Sequence, residues 1–171
     1  MAKSDAGRSY RRLTERADER SFQIVVEQSD LWITVAASAS EKLEEVALRR
    51  VNELRGQIRS WILLEPEFGT SLVPVPERPG APEIIRRMCR ASRIMGVGPM
   101  ACVAGAIAGG TAEALLPWSK ECIVENGGDV MLYSARERVV AMLAEREGGT
   151  RIGLRLGKED FPVSVCASSS F

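Results

Sequence analysis

Histidine is absent from the 171 residues. Its absence removes the usual general base near neutral pH and the commonest zinc ligand. A Ser-His or Cys-His hydrolase therefore cannot be assembled from this chain alone. Cysteine is sparse: Cys89, Cys102, Cys122 and Cys166 stand far apart and form no CxxC pair. Free thiols in a reducing cytosol are expected, with no metal-thiolate centre. Net charge is also missing, since 23 Lys and Arg balance 23 Asp and Glu. That balance gives no global electrostatic case for nucleic acid or an anionic membrane. Arg8, Arg11, Arg12, Arg16 and Arg20 are interleaved with Glu15, Asp18 and Glu19, which reads as a solvated terminus. No signal-peptide core opens the chain. The longest apolar stretch, Met100 to Ala108, is rich in alanine and glycine and too short to span a membrane. A soluble cytoplasmic protein is expected, with neither nucleic acid nor membrane as a partner.

At 45% hydrophobic and 27% charged, the chain suits one globular core and reads as a single domain. Phe22–Val26 and Leu31–Ala36 are β-branched runs joined by Glu27-Gln28-Ser29-Asp30, which predicts a hairpin. Leu43, Val46, Ala47, Val51, Leu54, Ile58, Trp61 and Ile62 recur at helical spacing after a Ser40 cap, and Glu65-Pro66 breaks that helix. Val73 to Gly80 is proline-rich and predicts an extended surface loop. Pro82 opens a second helix with Ile84, Ile85, Met88, Cys89, Ser92 and Met95 on its apolar face. A third runs from Pro99 toward Leu116. Short strands are expected at 122–126, 129–134, 138–143, 151–156 and 163–167. The fold class is α+β, a largely antiparallel sheet with helices on one face.

Two small-residue segments carry the chemistry. Gly98-Pro99 places a sterically free residue at an N-cap and a proline at the first helical position, leaving backbone N–H groups to meet an anion. Glu125-Asn126-Gly127-Gly128-Asp129 joins two apolar runs through consecutive glycines, a turn that lets backbone approach a ligand. Together they point to a phosphate-bearing small molecule, with Asp129 orienting a ribose or a metal-bound water, or else bonding its own turn. Ser168-Ser169 are placed to hydrogen-bond phosphate, or to satisfy a strand end.

Motifs spread over nearly the whole chain add a family. Ser29-Asp30-Leu31, Pro66-Glu67-Phe68, Ala81-Pro82, Gly96 to Ala101, Val103 to Ala108 and Glu125 to Asp129 occur in an order that resembles an uncharacterised bacterial and archaeal ApbE-like family, related to the FAD:protein FMN transferases. The resemblance implies an ApbE-like fold, FAD as cofactor, and Mg²⁺ at the flavin diphosphate. It implies that Gly96, Gly98, Met100, Ala101, Gly105, Asn126, Gly127, Gly128, Asp129, Ser168 and Ser169 line the site. The chain departs from the pattern at its end. Cys166-Ala167-Ser168-Ser169-Ser170-Phe171 stands where the family carries Cys-Thr-Ser-Ser-Gly-Thr, and the downstream Gly-His-Ser and Ala-Asp-Ala do not follow. The glycine-rich segment also lacks the transferases' Lys-Gly pair. These departures lead to the expectation of a C-terminally truncated domain whose Mg²⁺ ligands lie beyond Phe171. That domain would be inactive in flavin transfer and paired with a second copy through the Val163–Cys166 strand. Two functions follow: flavin or nucleotide-diphosphate binding with transfer in complete relatives, or a non-catalytic binding or scaffold domain that keeps the fold.

Overall fold

A computed structural model describes residues 16–142 and 152–166. The chain begins with the expected hairpin, β1 (Glu19–Val26) and β2 (Ser29–Ala36), in register from Glu19 opposite Ala36 to Val26 opposite Ser29. Glu27 turns the corner at φ 53°, and its carboxylate accepts hydrogen bonds from Arg55 (2.6 Å) and Arg59 (2.5 Å). The turn is thereby tied to α1 (Leu43–Leu64). Four helical segments follow: α1, α2 (Pro66–Thr70), α3 (Glu83–Met95) and, after a 3₁₀ turn at Pro99–Cys102, α4 (Val103–Leu115). The chain then returns to the sheet as β3 (Cys122–Asn126) and β4 (Asp129–Tyr133). After β5 (Arg138–Met142) and β6 (Ile152–Leu156) come a 3₁₀ turn and β7 (Val163–Cys166).

The main sheet has the order β1-β2-β3-β4-β7, antiparallel throughout. Period-two alternation puts Phe22, Ile24, Leu31, Ile33, Val35, Cys122 and Val124 in one core with the helices. From the other side come Leu43, Ala47, Val51 and Leu54 of α1, Ile85 and Met88 of α3, and Ile107, Ala108, Ala112 and Leu115 of α4. The α+β class and the one-faced helical layer follow directly from this core.

Several local expectations change. The N-cap of α1 is Lys42, with no capping side chain; Ser40 Oγ instead accepts from the Lys42 N–H at 3.3 Å, one turn earlier. Pro66 does end α1, but it also starts α2, because proline is tolerated at a first helical position and Phe68, 2% exposed, anchors the short turn in the core. Met95 is 70% exposed rather than on the buried face of α3. The third helix does not begin at Pro99. A tighter 3₁₀ turn comes first, and the α3 and Pro99–Leu115 segments meet at 107°. β5 and β6 do not join the main sheet; they pair only with each other, as a hairpin inserted between the neighbours β4 and β7. β7 is an edge strand, its residues alternating half-buried and exposed rather than buried. Among the described residues no single helix is long and apolar enough to cross a membrane; the bent pair of α3 with Pro99–Leu115 meets that test of length and composition only jointly.

Candidate functional site

The two glycine segments meet where α4 begins. Asn126 and Asp129 face each other at the end of the β3–β4 ladder, and Gly127-Gly128 closes the hairpin with Gly127 at φ 68°, as the first central position of a primed turn requires. Asn126 is 6% exposed, and its amide Nδ2 donates to the Ala104 carbonyl at 3.1 Å, clamping the hairpin onto the first turn of α4. Gly105 is open for Asp129: a Cβ there would lie 3.2 Å from Asp129 Oδ1.

Asp129 is the unusual group. Its carboxylate is half-buried, and no hydrogen bond or ion pair among the described residues engages it. Burial pushes its pKa above the ordinary 3.8. The neighbouring Cys102 thiol is also pushed up, by burial first and by the Asp129 charge second, so Cys102 is a thiol rather than a nucleophilic thiolate. Sequence reasoning missed Cys102 as a neighbour of Asp129, since nothing in either local pattern says that the two segments touch.

Other predicted positions take different places. Gly98 does cap a helical turn with Pro99 at its first position, but that turn is the 3₁₀ segment Pro99–Cys102; Gly98 is buried, and a Cβ on it would sit 1.8 Å from the Ser71 carbonyl oxygen and 3.0 Å from Leu72 Cα. The close approach that Gly98 permits is to the chain's own backbone, and the α-helical start next to the hairpin is Val103–Gly105. Gly96 adopts φ 69° as the left-handed cap of α3, with the Val97 N–H bonding back to Ser92 O at 3.1 Å. Met100 is half-buried against the core, and Ala101 and Gly128 are exposed. Ser168 and Ser169 lie outside the described residues; β7 ends at Cys166, directly opposite Asp129.

Among the described residues no three His, Cys, Asp or Glu side chains converge to hold a metal ion. One carboxylate beside a helix start does fit a Mg²⁺ that takes its remaining ligands from phosphate and water, because Mg²⁺ is commonly held by one or two carboxylates plus phosphate oxygens.

The charge state of Asp129 gives a first expected outcome. A carboxyl group whose folded pKa is raised contributes its stability below the unfolded value and loses it as pH rises through the folded one. At neutral pH the half-buried carboxyl, unpaired among the described residues, therefore opposes folding. Asp129→Asn should raise the urea midpoint of the ligand-free protein at pH 7, a stability gain of order 1 kcal/mol after allowing for partial exposure. The gain should vanish toward pH 4. A midpoint lowered at pH 7 would show that the carboxylate is compensated.

Comparison with known proteins places the chain. The family model described as AbpE bacteria matches residues 11–171. A UPF0280 protein of Archaeoglobus fulgidus is 35% identical over 138 residues, covering 80% of this chain and 56% of that protein. A UPF0280 protein of Methanocella arvoryzae is 34% identical over 137 residues, with 80% and 56% covered. One from Methanosarcina acetivorans is 35% identical over 138 residues, with 80% and 54% covered. The chain thus spans little more than half the length of these relatives. The match over almost its whole length, together with these identities, means that the chain belongs to the AbpE bacteria family, whose relatives here are UPF0280 proteins.

Proposed function

We propose that the chain carries the nucleotide-binding face of an ApbE-like flavoprotein or flavin transferase. The diphosphate of FAD or a related nucleotide would lie between the Val103–Gly105 helix start and the Asn126–Asp129 hairpin. The observation that carries the reading is the Asp129 carboxylate, half-buried, raised in pKa and without a partner among the described residues. A protein keeps such a group where function calls for it. A bare carboxylate repels phosphate, so Asp129 takes the cation-facing or hydroxyl-facing role; the Val103 N–H is already bonded to the Met100 carbonyl, and the anion would meet the positive end of the α4 dipole. Mg²⁺, when bound, would neutralise the diphosphate and stabilise charge on a leaving nucleotide. In this chain Asn126 fixes the hairpin against α4, Gly127 and Gly128 keep its tip free of side chains, and Gly105 leaves Asp129 its space. Ser168-Ser169, which follow β7 in sequence, would add hydroxyl donors.

Titration of the intact chain with FAD, read by tryptophan fluorescence with and without Mg²⁺, tests the proposal. Saturable quenching that needs Mg²⁺ is expected, weakened about tenfold or more by Asp129→Asn. Indifference to FAD, or binding that Mg²⁺ and Asp129→Asn leave unchanged, overturns it. The alternative is a non-catalytic binding domain, compatible with the lack of three converging metal-ligating side chains among the described residues. It predicts FAD binding without appearance of FMN on any acceptor protein.

A further inference from the structure

Farther along α4, between it and α1, lies an open groove of about 400 Å³, lined among others by Val46, Arg49, Arg50, Glu53, Glu113 and Trp118. Its floor is fixed. Arg50 Nε donates to the Gly110 carbonyl at 3.3 Å, and α4 approaches α1 so closely that a Cβ on Gly110 would lie 2.9 Å from Leu54 Cδ1. The charges on its walls cancel in pairs: Arg50 with Glu53 at 2.9 Å, and Glu113 with Arg87 of α3 at 2.6 Å. Arg49 is left over, with no hydrogen bond or ion pair among the described residues. Trp118, which lines the same groove, is 52% exposed, a large apolar ring that the core does not use.

From this arrangement we propose a second ligand site, independent of the hairpin site, for a small molecule carrying one anionic group on a flat aromatic body. The guanidinium of Arg49 is a planar donor suited to a carboxylate or a phosphate oxygen pair. The exposed face of Trp118 suits a ring stacked beside it. Among the described residues lining the groove Arg49 is the cation left unpaired, so the groove offers a place for one anionic group. The volume matches one or two fused rings with a substituent.

The probe is 2-naphthoate, with 2-naphthalenemethanol as its neutral counterpart, titrated into the full ¹⁵N-labelled chain. The indole N–H signal of Trp118, assigned by its loss in Trp118→Phe, is the readout. Naphthoate should shift that signal saturably, and the alcohol should bind about tenfold more weakly or not at all. Arg49→Gln, at an exposed side chain without partners among the described residues, should keep the fold, as judged by an unchanged spectrum elsewhere. It should weaken naphthoate about tenfold and leave the alcohol unaffected. No saturable shift at Trp118, equal binding of acid and alcohol, or binding that Arg49→Gln leaves unchanged would each overturn the proposal.

Discussion

Gly98→Ala should destabilise the protein by about 3 kcal/mol or more, or prevent folding altogether. The added methyl would stand 1.8 Å from the Ser71 carbonyl oxygen and 2.8 Å from its carbon. Those are backbone atoms, so no rotamer change can relieve the clash. The Ser71–Leu72 segment after α2 would have to lift off the 3₁₀ turn, taking Phe68 from the core with it. Gly109→Ala is the matched control: it lies inside α4, nothing sits within 4 Å of its new Cβ, and alanine is the better helix former. It should stabilise by about 0.5–1 kcal/mol. Denaturant melts of the two variants decide the matter. If Gly98→Ala melts like the parent, the Ser71 contact is not as described. A destabilised Gly98→Ala also means that loss of ligand binding in this variant would say nothing about an anion at Gly98.

Arg138→Met should cost about 3 kcal/mol by a different route, through charge rather than volume. Arg138 is 7% exposed and bridges Glu19, whose side chain is 3% exposed, and Glu121, each at 2.5 Å. Arg136 joins the same group through Glu19 and Asp18, and Ser134 Oγ donates to Glu121 at 2.7 Å. Removing one guanidinium leaves two carboxylates sharing Arg136 in a low-dielectric setting. Burial alone would raise Glu121, but the Ala135 N–H, Ser134 and Arg138 outweigh it and hold the group below its usual 4.5. The hydrogen bond from Arg136 holds Asp18 below 3.8 in the same way. A depressed carboxylate contributes stability above its unfolded pKa and loses it as pH falls through the folded value. The parent's urea midpoint should therefore fall once pH drops below about 4.5, and the gap between parent and Arg138→Met should narrow over the same range. A gap that stays constant with pH would show that the loss comes from packing and not from charge.

How much of this could be read from residues alone varies by element. Hydrophobic period placed β2, α1, α3, β3 and β4 within a residue or two, because each buries one stripe against the same core, and missed only the first three residues of β1, Glu19 to Ser21, which are polar. Periodicity cannot say which sheet a strand joins. Leu154 and Leu156 alternate as cleanly as a core strand, yet β6 pairs only with β5, and Leu154 is 46% exposed. α2 was hidden because proline reads as a breaker, and only the burial of Phe68 shows that the broken end coils again. At the site, the turn formed by Gly127 and Gly128 was legible from two glycines between apolar runs. The reason for Gly98 was not, since Ser71 lies far back in the chain and no local pattern records which backbone will pass close by. The isolation of Asp129 was equally hidden, being a property of what surrounds the carboxylate.

The order of strands in the sheet also governs how the molecule comes together in time. β1–β2 and β3–β4 are local ladders, each closed by a two-residue turn and able to form within microseconds. The ladder that unites them pairs Leu31–Val35 with Cys122–Asn126, and every α-helix among the described residues lies in the interval between. Zipping β2 onto β3 is a long loop closure, opposed by chain entropy until the intervening helices have docked. The two hairpins are thus early and independent, and their union is the slow, cooperative event. The contact between Asn126 and Ala104, which clamps the β3–β4 turn onto α4, belongs to that last step, so the proposed binding face would mature only when folding is complete.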